Sequence, residues 1–353
     1  AYTIFHYYDM TGQYKTAVSH LQEKAAGMIT ARGILLGIIL LAQGWFQKQL
    51  RRSGRAVYLL QAAVKNITAG QSDNPALILP LAYLGAALQA AGEYEEAEQH
   101  IRRSLALAQA HGDWFGASLA LNAAGKMAWL QGNLPAAKQH LSQSLSLKQI
   151  VGDVWGMAYC YQNLGDVAVS SGHYAEARLQ YEAAQTVWAQ AHHTGRLADV
   201  RERLAYLAQQ QDDWQTAVAH LERAHHLYAA MEDNVGVVNV YIRLAQLMRQ
   251  LAAYDEAYRY YTAGLRTAVA HQLTPKAIEI LTSFAHMQLE KPYHQRHTAN
   301  SQADEAIEAL LAQFSQIVQN RAAILPPDEL PILARELLLR FPIPAIRQEG
   351  MKP

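Results

Sequence analysis

Four histidines, His20, His100, His140 and His220, are separated by 80, 40 and 80 residues, so metal binding by regularly placed imidazoles is the first chemistry to consider. Neighbouring units of a stacked helical array lie about 8–10 Å apart, too far for two such imidazoles to share a zinc ion, so these are read as partly exposed helix positions. The doublets His192-His193 and His225-His226, and His294 with His297, lack a nearby carboxylate or cysteine and receive no metal either. Gly125-Lys126 has the ending of a phosphate-binding loop, but the loop requires a glycine where Ala120 stands and a strand where the pattern is helical. Cys160 is the single cysteine. It excludes an internal disulfide framework and, with no activating neighbour, reads as a buried structural thiol. No nucleophile elbow or paired-carboxylate arrangement stands out, and no catalytic residue, cofactor or metal is assigned.

What remains is recognition. Asn122, Lys126 and Trp129, then Gln162, Asn163 and Asp166, then Arg203 and Tyr206, then Arg243, Gln246 and Arg249 stand at recurring offsets from a small residue that repeats along the chain. Aromatics, arginines and amides mixed in this way are the residue types concentrated at binding hot spots. They are expected to line a concave groove that takes a protein, a peptide or a small-molecule inducer.

For these side chains to share a surface, the elements carrying them must recur. "GEYEEAEQHIRRSLALAQAHGDW", from Gly92, is followed 40 residues later by "GNLPAAKQHLSQSLSLKQIVGDV", from Gly132. A small residue returns at Gly44, Gly85, Gly125, Gly165, Ala205, Ala245 and Ala285. Twelve positions after the first six come Ala56, Ala97, Ala137, Ala177, Ala217 and Ala257, while Ala17 serves the opening segment. Four further on stands a large residue (Leu21, Leu60, Ile101, Leu141, Tyr181, Leu221, Tyr261). Three beyond that comes a mostly small one, such as Ser104, Ser144 or Ala184. Spacing of four and seven marks one face of an α-helix, so each repeat is two helices, A and B, with Gly-Asp and Gly-Asn turns between them. The small residues of A and B mark a close crossing, and the large residue fills the space between pairs.

This pattern resembles the tetratricopeptide repeat: Gly85, Tyr94, Ala97, Ile101 and Ser104 match its motif, as do Gly165, Tyr174, Ala177, Tyr181 and Ala184. The resemblance covers residues 1–290 as about seven repeats and implies an all-α, right-handed superhelix. The period departs from the usual ~34 residues by about six. Long repeats of this kind are similar to the sensor domain of the maltose-regulon activator and related signal-transduction ATPases with numerous domains, and to those of kinesin light chains and bacterial peptide-sensing regulators. That likeness implies the sensing or interaction domain of a larger bacterial signalling or transcriptional regulator, cut from a longer protein. The alternative is a free-standing scaffold or peptide receptor. After residue 290 the register fails, and residues 291–353 are expected to form a polar loop and C-terminal capping helices.

Composition agrees with a binding role. Thirty basic and thirty acidic residues cancel, leaving no global field to attract nucleic acid or an anionic membrane. The longest apolar run, from Ile34 to Ala42, is about half what a membrane-spanning helix requires. A cytoplasmic location is expected, and association of copies through the array is left open.

Overall fold

From position 92 onward the backbone becomes left-handed every twenty residues, at Gly92, Gly112, Gly132, Gly152, Gly172, His192, Asp212, Glu232, Ala252 and Gln272. Each of these residues ends a helix. The next amide bonds back to a carbonyl five residues earlier, as from Asp153 to Lys148 and from Ala253 to Met248, both at 2.9 Å, and this satisfies the last carbonyls of the helix. The residue that donates this bond is the N-cap of the following helix, and where it is an aspartate its side chain closes the cap. Asp113, Asp153 and Asp233 accept the amides of Gly116, Gly156 and Gly236 at 2.9, 2.9 and 3.0 Å. A 17-residue helix such as Tyr94–Ala110 or Trp114–Leu130, followed by a three-residue turn, makes twenty. Two make the long repeat.

The computed structural model describes residues 14–26, 33–50, 52–68 and 73–290. Among them are fourteen α-helices and no strand. They are α1 (Tyr14–Ala26), α2 (Ile34–Gln49), α3 (Ser53–Thr68), α4 (Ile78–Ala91), α5 (Tyr94–Ala110), α6 (Trp114–Leu130) and α7 (Leu134–Val151). There follow α8 (Val154–Ser170), α9 (Tyr174–Gln190), α10 (Thr194–Gln210), α11 (Trp214–Ala230), α12 (Asn234–Gln250), α13 (Tyr254–Ala270) and α14 (Thr274–Glu290). Even-numbered helices are the A helices of the repeat and odd-numbered ones the B helices. The capping helices expected within residues 291–353 lie outside the described residues. No described helix is long and apolar enough to cross a membrane.

Two units meet inside α10, the first ending at Leu207 and the second beginning at Ala208. In the first, the crossing of A and B has a definite form. A Cβ on Gly125 would stand 2.6 Å from Leu141 Cγ and 3.2 Å from the Ala137 carbonyl, and one on Gly85 would stand 2.5 Å from Ile101. Gly44 meets Leu60 and Gly165 meets the Tyr181 ring in the same way. The alanine expected to face the glycine instead closes the approach with its carbonyl, and the large residue four positions later covers the bare backbone. Where the third motif position is serine, it ties the B helix to the A helix of its own pair: Ser104 Oγ on α5 donates to the Ile78 carbonyl on α4 at 2.7 Å, and Ser144 Oγ on α7 to the Ser118 carbonyl on α6 at 2.6 Å.

The second unit has its own core, built from Val238, Ile242, Tyr261, Leu265, Ile280 and Phe284. Here the crossing residue is Ala245, itself fully buried.

Two outcomes follow for stability, both read from denaturation midpoints. Gly125→Ala should destabilise by about 1–3 kcal/mol through overpacking, whereas Gly54→Ala, with nothing within 4 Å of the added methyl, should be neutral or stabilising by up to about 1 kcal/mol. Equal midpoints for the two would refute the crossing. Ala252→Gly should stabilise by about 0.5–1 kcal/mol, since alanine is held there at φ 55°. A loss on that substitution would contradict the strain.

Candidate recognition face

Near the start of α10, Arg196 donates to the side-chain carbonyl of Gln49 at the end of α2, 147 residues earlier. The fifth A helix of the first unit thus comes back to the first. The faces of α2, α4, α6, α8 and α10 turned away from the B helices therefore look inward, toward one another.

Much of the polarity on that face is spent between neighbouring A helices. Asn163 Nδ2 on α8 donates to Asn122 Oδ1 on α6 at 2.9 Å, and Trp129 Nε1 donates to Ser170 Oγ at 2.8 Å. Asp166 on α8 accepts from Arg203 Nε on α10 at 3.0 Å and from the Tyr181 hydroxyl at 2.7 Å. Tyr181 is fully buried with its ring over Gly165, and burial and then the adjacent Asp166 charge both push its pKa up. For Arg203, burial opposes the charge, but Asp166 and Asp199 outweigh it and raise the pKa above the usual value.

Two cations are differently placed. Lys126 is solvent-accessible, Lys48 is half-buried, and neither ammonium has a hydrogen-bond or ion-pair partner among the described residues. Protein around Lys48 desolvates it, and the charges of Lys126 and Arg196 add to this, lowering its pKa from 10.5 to about 8. Lys126 is lowered by desolvation and by Arg203, against an opposing contribution from Asp166. Arg196 itself pairs with Asp199 at 3.1 Å and lies 5.0 Å from the centre of the Tyr159 ring. That ring packs edge-on against Trp188 at 5.2 Å.

Of the residues expected to form the groove, Asn122, Lys126, Trp129, Asn163, Asp166, Arg203 and Tyr206 come together in the first unit. Tyr206 is the most exposed aromatic among them, at 45%. Gln162 is a correction: it is 4% exposed and its carbonyl accepts the Trp188 indole N–H at 3.3 Å, so its side chain points between helices. Arg203 is likewise neutralised by Asp166. Arg243, Gln246 and Arg249 stand on α12 of the second unit, with Arg243 and Gln246 exposed. Lys48, Gln49, Tyr159, Arg196 and Asp199 were not among the expected residues. Lys48 lies four residues after Gly44, one of the same offsets, and Arg196 and Asp199 extend the Arg203 stripe by i−7 and i−4. Cys160 is fully buried, 3.2 Å from Ser144 Oγ, and burial pushes its thiol up. The His20 series assembles no metal cluster among the described residues.

Residues 77–150, which span α4 to α7, match the tetratricopeptide repeat family model. Comparison with curated proteins finds no match. Among solved structures, the chain is similar to a Rap protein complexed with competence and sporulation factor, at 12% identity and a TM-score of 0.64, over 98% of this chain and 96% of that one. It is similar to the Rap conjugation gene regulator of plasmid pLS20 in complex with the Phr* peptide, at 13% identity and a TM-score of 0.56, over 83% and 78%. A third similarity is to a signal transduction ATPase with numerous domains from Pyrococcus horikoshii that has a tetratricopeptide repeat sensor. It has 12% identity and a TM-score of 0.59, covering 97% of this chain and 54% of that protein. At such identities the likeness is one of fold, that of tandem helical repeats.

Desolvation of Lys48 should make stability depend on pH. With its folded pKa lowered to about 8, the folded chain binds fewer protons than the unfolded chain between about pH 8 and 10.5, so this group's contribution to stability rises with pH across that window. Lys48→Met should be more stable than the parent near neutral pH, with the advantage shrinking as pH approaches 10. Urea midpoints that change in parallel with pH for both chains would contradict this.

Proposed function

We propose that the chain is a noncatalytic binding module that holds a protein or peptide on the inward faces of its A helices, and that it serves as the sensing or interaction part of a larger signalling or transcriptional regulator. The observation that carries the reading is the variety of residue at one structural position. One residue after the crossing stand Ala86, Lys126, Asp166, Tyr206 and Gln246, each on an equivalent turn of an A helix, while Trp45 at that position of α2 is turned into the core. Packing therefore sets no single type there, as expected where residues serve a ligand rather than the next repeat. The match of residues 77–150 to a repeat that mediates protein interaction supports a partner of that class. The likeness to a tetratricopeptide repeat sensor, of which the chain spans 54% of the whole protein, supports the role within a multidomain regulator. A small-molecule inducer remains compatible with the same face.

A second setting is supported by the Rap proteins, one of them covered over 96% of its length and both bound to a signalling factor or peptide. There the repeats would form a free-standing peptide receptor. The full-length gene product separates the settings: an attached nucleotide-binding domain fits the first, and a chain made of the repeats alone fits the second.

Selection of phage-displayed random peptides on the purified chain tests binding in either setting. Tyr206→Ala and Asn163→Ala should each weaken a selected peptide by about 1 kcal/mol or more, roughly fivefold in Kd, while Gln61→Ala on the B helix α3 should have no effect. Failure to select any peptide, or selected peptides indifferent to both inner-face substitutions, would overturn the proposal.

A further inference from the structure

On the inner face of the first unit the charges of Lys48, Lys126, Arg196 and Arg203 act on one another beside the carboxylates of Asp166 and Asp199. Each carboxylate is engaged by an arginine, Asp166 by Arg203 at 3.0 Å and Asp199 by Arg196 at 3.1 Å. Two positive charges are left over, on Lys48 and Lys126, and neither has an acceptor among the described residues. They belong to α2 and α6, and the bond from Arg196 to Gln49 brings the third cation of the group, on α10, beside Lys48. Like charges held together on a concave, partly desolvated surface repel one another, and water screens them less there than on a flat exterior. Such an arrangement is relieved by one negative group lying between them.

We propose that Lys48, Lys126 and Arg196 form a subsite for a single oxyanion. Its source is either an acidic side chain or terminal carboxylate of the bound peptide, or a free inorganic anion; the chemistry recognised is the same. The planar Arg196 guanidinium is already oriented by Asp199, by Gln49 and by the Tyr159 ring, so it is preorganised, whereas the two lysines contribute mobile point charges. The inference rests on reading the A-helix face as the binding face, and goes beyond it by naming the charge of what binds.

The test measures acylation of individual lysines of the intact chain by an N-hydroxysuccinimide acetate, at slightly alkaline pH, by mass spectrometry. Ionic strength is held constant with potassium chloride. Without anion, Lys48 should react readily at that pH, because its lowered pKa leaves part of it unprotonated, and the exposed Lys65 serves as the internal reference. A bound oxyanion favours the ammonium form and should slow Lys48 and Lys126 several-fold while leaving Lys65 unchanged. Inorganic phosphate and a hexaglutamate peptide are the two anionic ligands, and hexaglutamine controls for steric cover. Slowing by phosphate assigns a small-anion site, slowing by hexaglutamate alone assigns a peptide carboxylate, and Lys126→Gln should abolish the protection of Lys48 in either case. No slowing by either anion, slowing as great with hexaglutamine, or full protection in Lys126→Gln would each overturn the subsite. Peptides that still bind the inner face under those outcomes would leave the binding module standing without it.

Discussion

The contact on which the first unit depends is that of a large side chain on a bare stretch of helix backbone. Where α8 crosses α9, Gly165 has no Cβ and the Tyr181 ring packs against it; where α6 crosses α7, Leu141 packs against Gly125. A close crossing of this kind sets the separation of A from B, and with it the tilt from one repeat to the next. In α8 the same contact reaches the recognition face directly. The Tyr181 ring passes over Gly165, and its hydroxyl holds Asp166, which in turn fixes Arg203 on the next A helix. A residue that reads as packing is also the support of a surface ion pair.

Small rotations between neighbouring repeats accumulate within the first unit until α10 reaches α2 through one side-chain bond. Each repeat contacts chiefly its neighbours, so curvature is a sum of local terms. The bond from Arg196 to Gln49 is the consequence, joining residues 147 apart that no local rule connects. Lys148 shows the same economy at a single turn. Although 1% exposed, it pairs at 2.8 Å with Asp153, the N-cap of the next helix, beneath the Phe115 ring. Its charge is thereby matched at the junction where one helix ends and another begins.

The helices and their pairing were legible in the sequence because both are written locally. The i, i+4, i+7 spacing of Ala97, Ile101 and Ser104 names a helix face, and Gly152-Asp153 names a turn. Half of the turns were less plain. His192, Asp212, Glu232, Ala252 and Gln272 adopt the left-handed conformation without glycine, because the flanking helices dictate the backbone there and override residue preference. The candidate face was legible through offsets from the crossing residue, which gave Asn122, Lys126, Asp166, Arg203 and Tyr206. It failed at Gln162, which shares the offset of Asn122 but is drawn inward because its carbonyl accepts the Trp188 indole N–H from the B helix α9. The pairing of Asp166 with Arg203 and the approach of Arg196 to Lys48 depend on the angle between repeats, and no single repeat encodes that angle.

The two lysines differ from the rest of the face in a way that bears on its role. Asn122, Asn163, Asp166, Arg203 and Trp129 have partners on adjacent helices, so covering them with a ligand buries groups whose hydrogen bonds are already made, at modest desolvation cost. Covering Lys48 and Lys126 without supplying an acceptor would bury unmatched charge, which is far more costly. The fold does not call for ammonium groups there. The position of Lys126 is filled by Ala86, Asp166, Tyr206 and Gln246 in other repeats, and the positions equivalent to Lys48 hold Gln89, Trp129, Val169, Gln209 and Arg249. If the inner face binds as proposed, it discriminates by charge: it accepts a neutral surface over its interlocked amides and rejects one over its lysines unless a negative group comes with it.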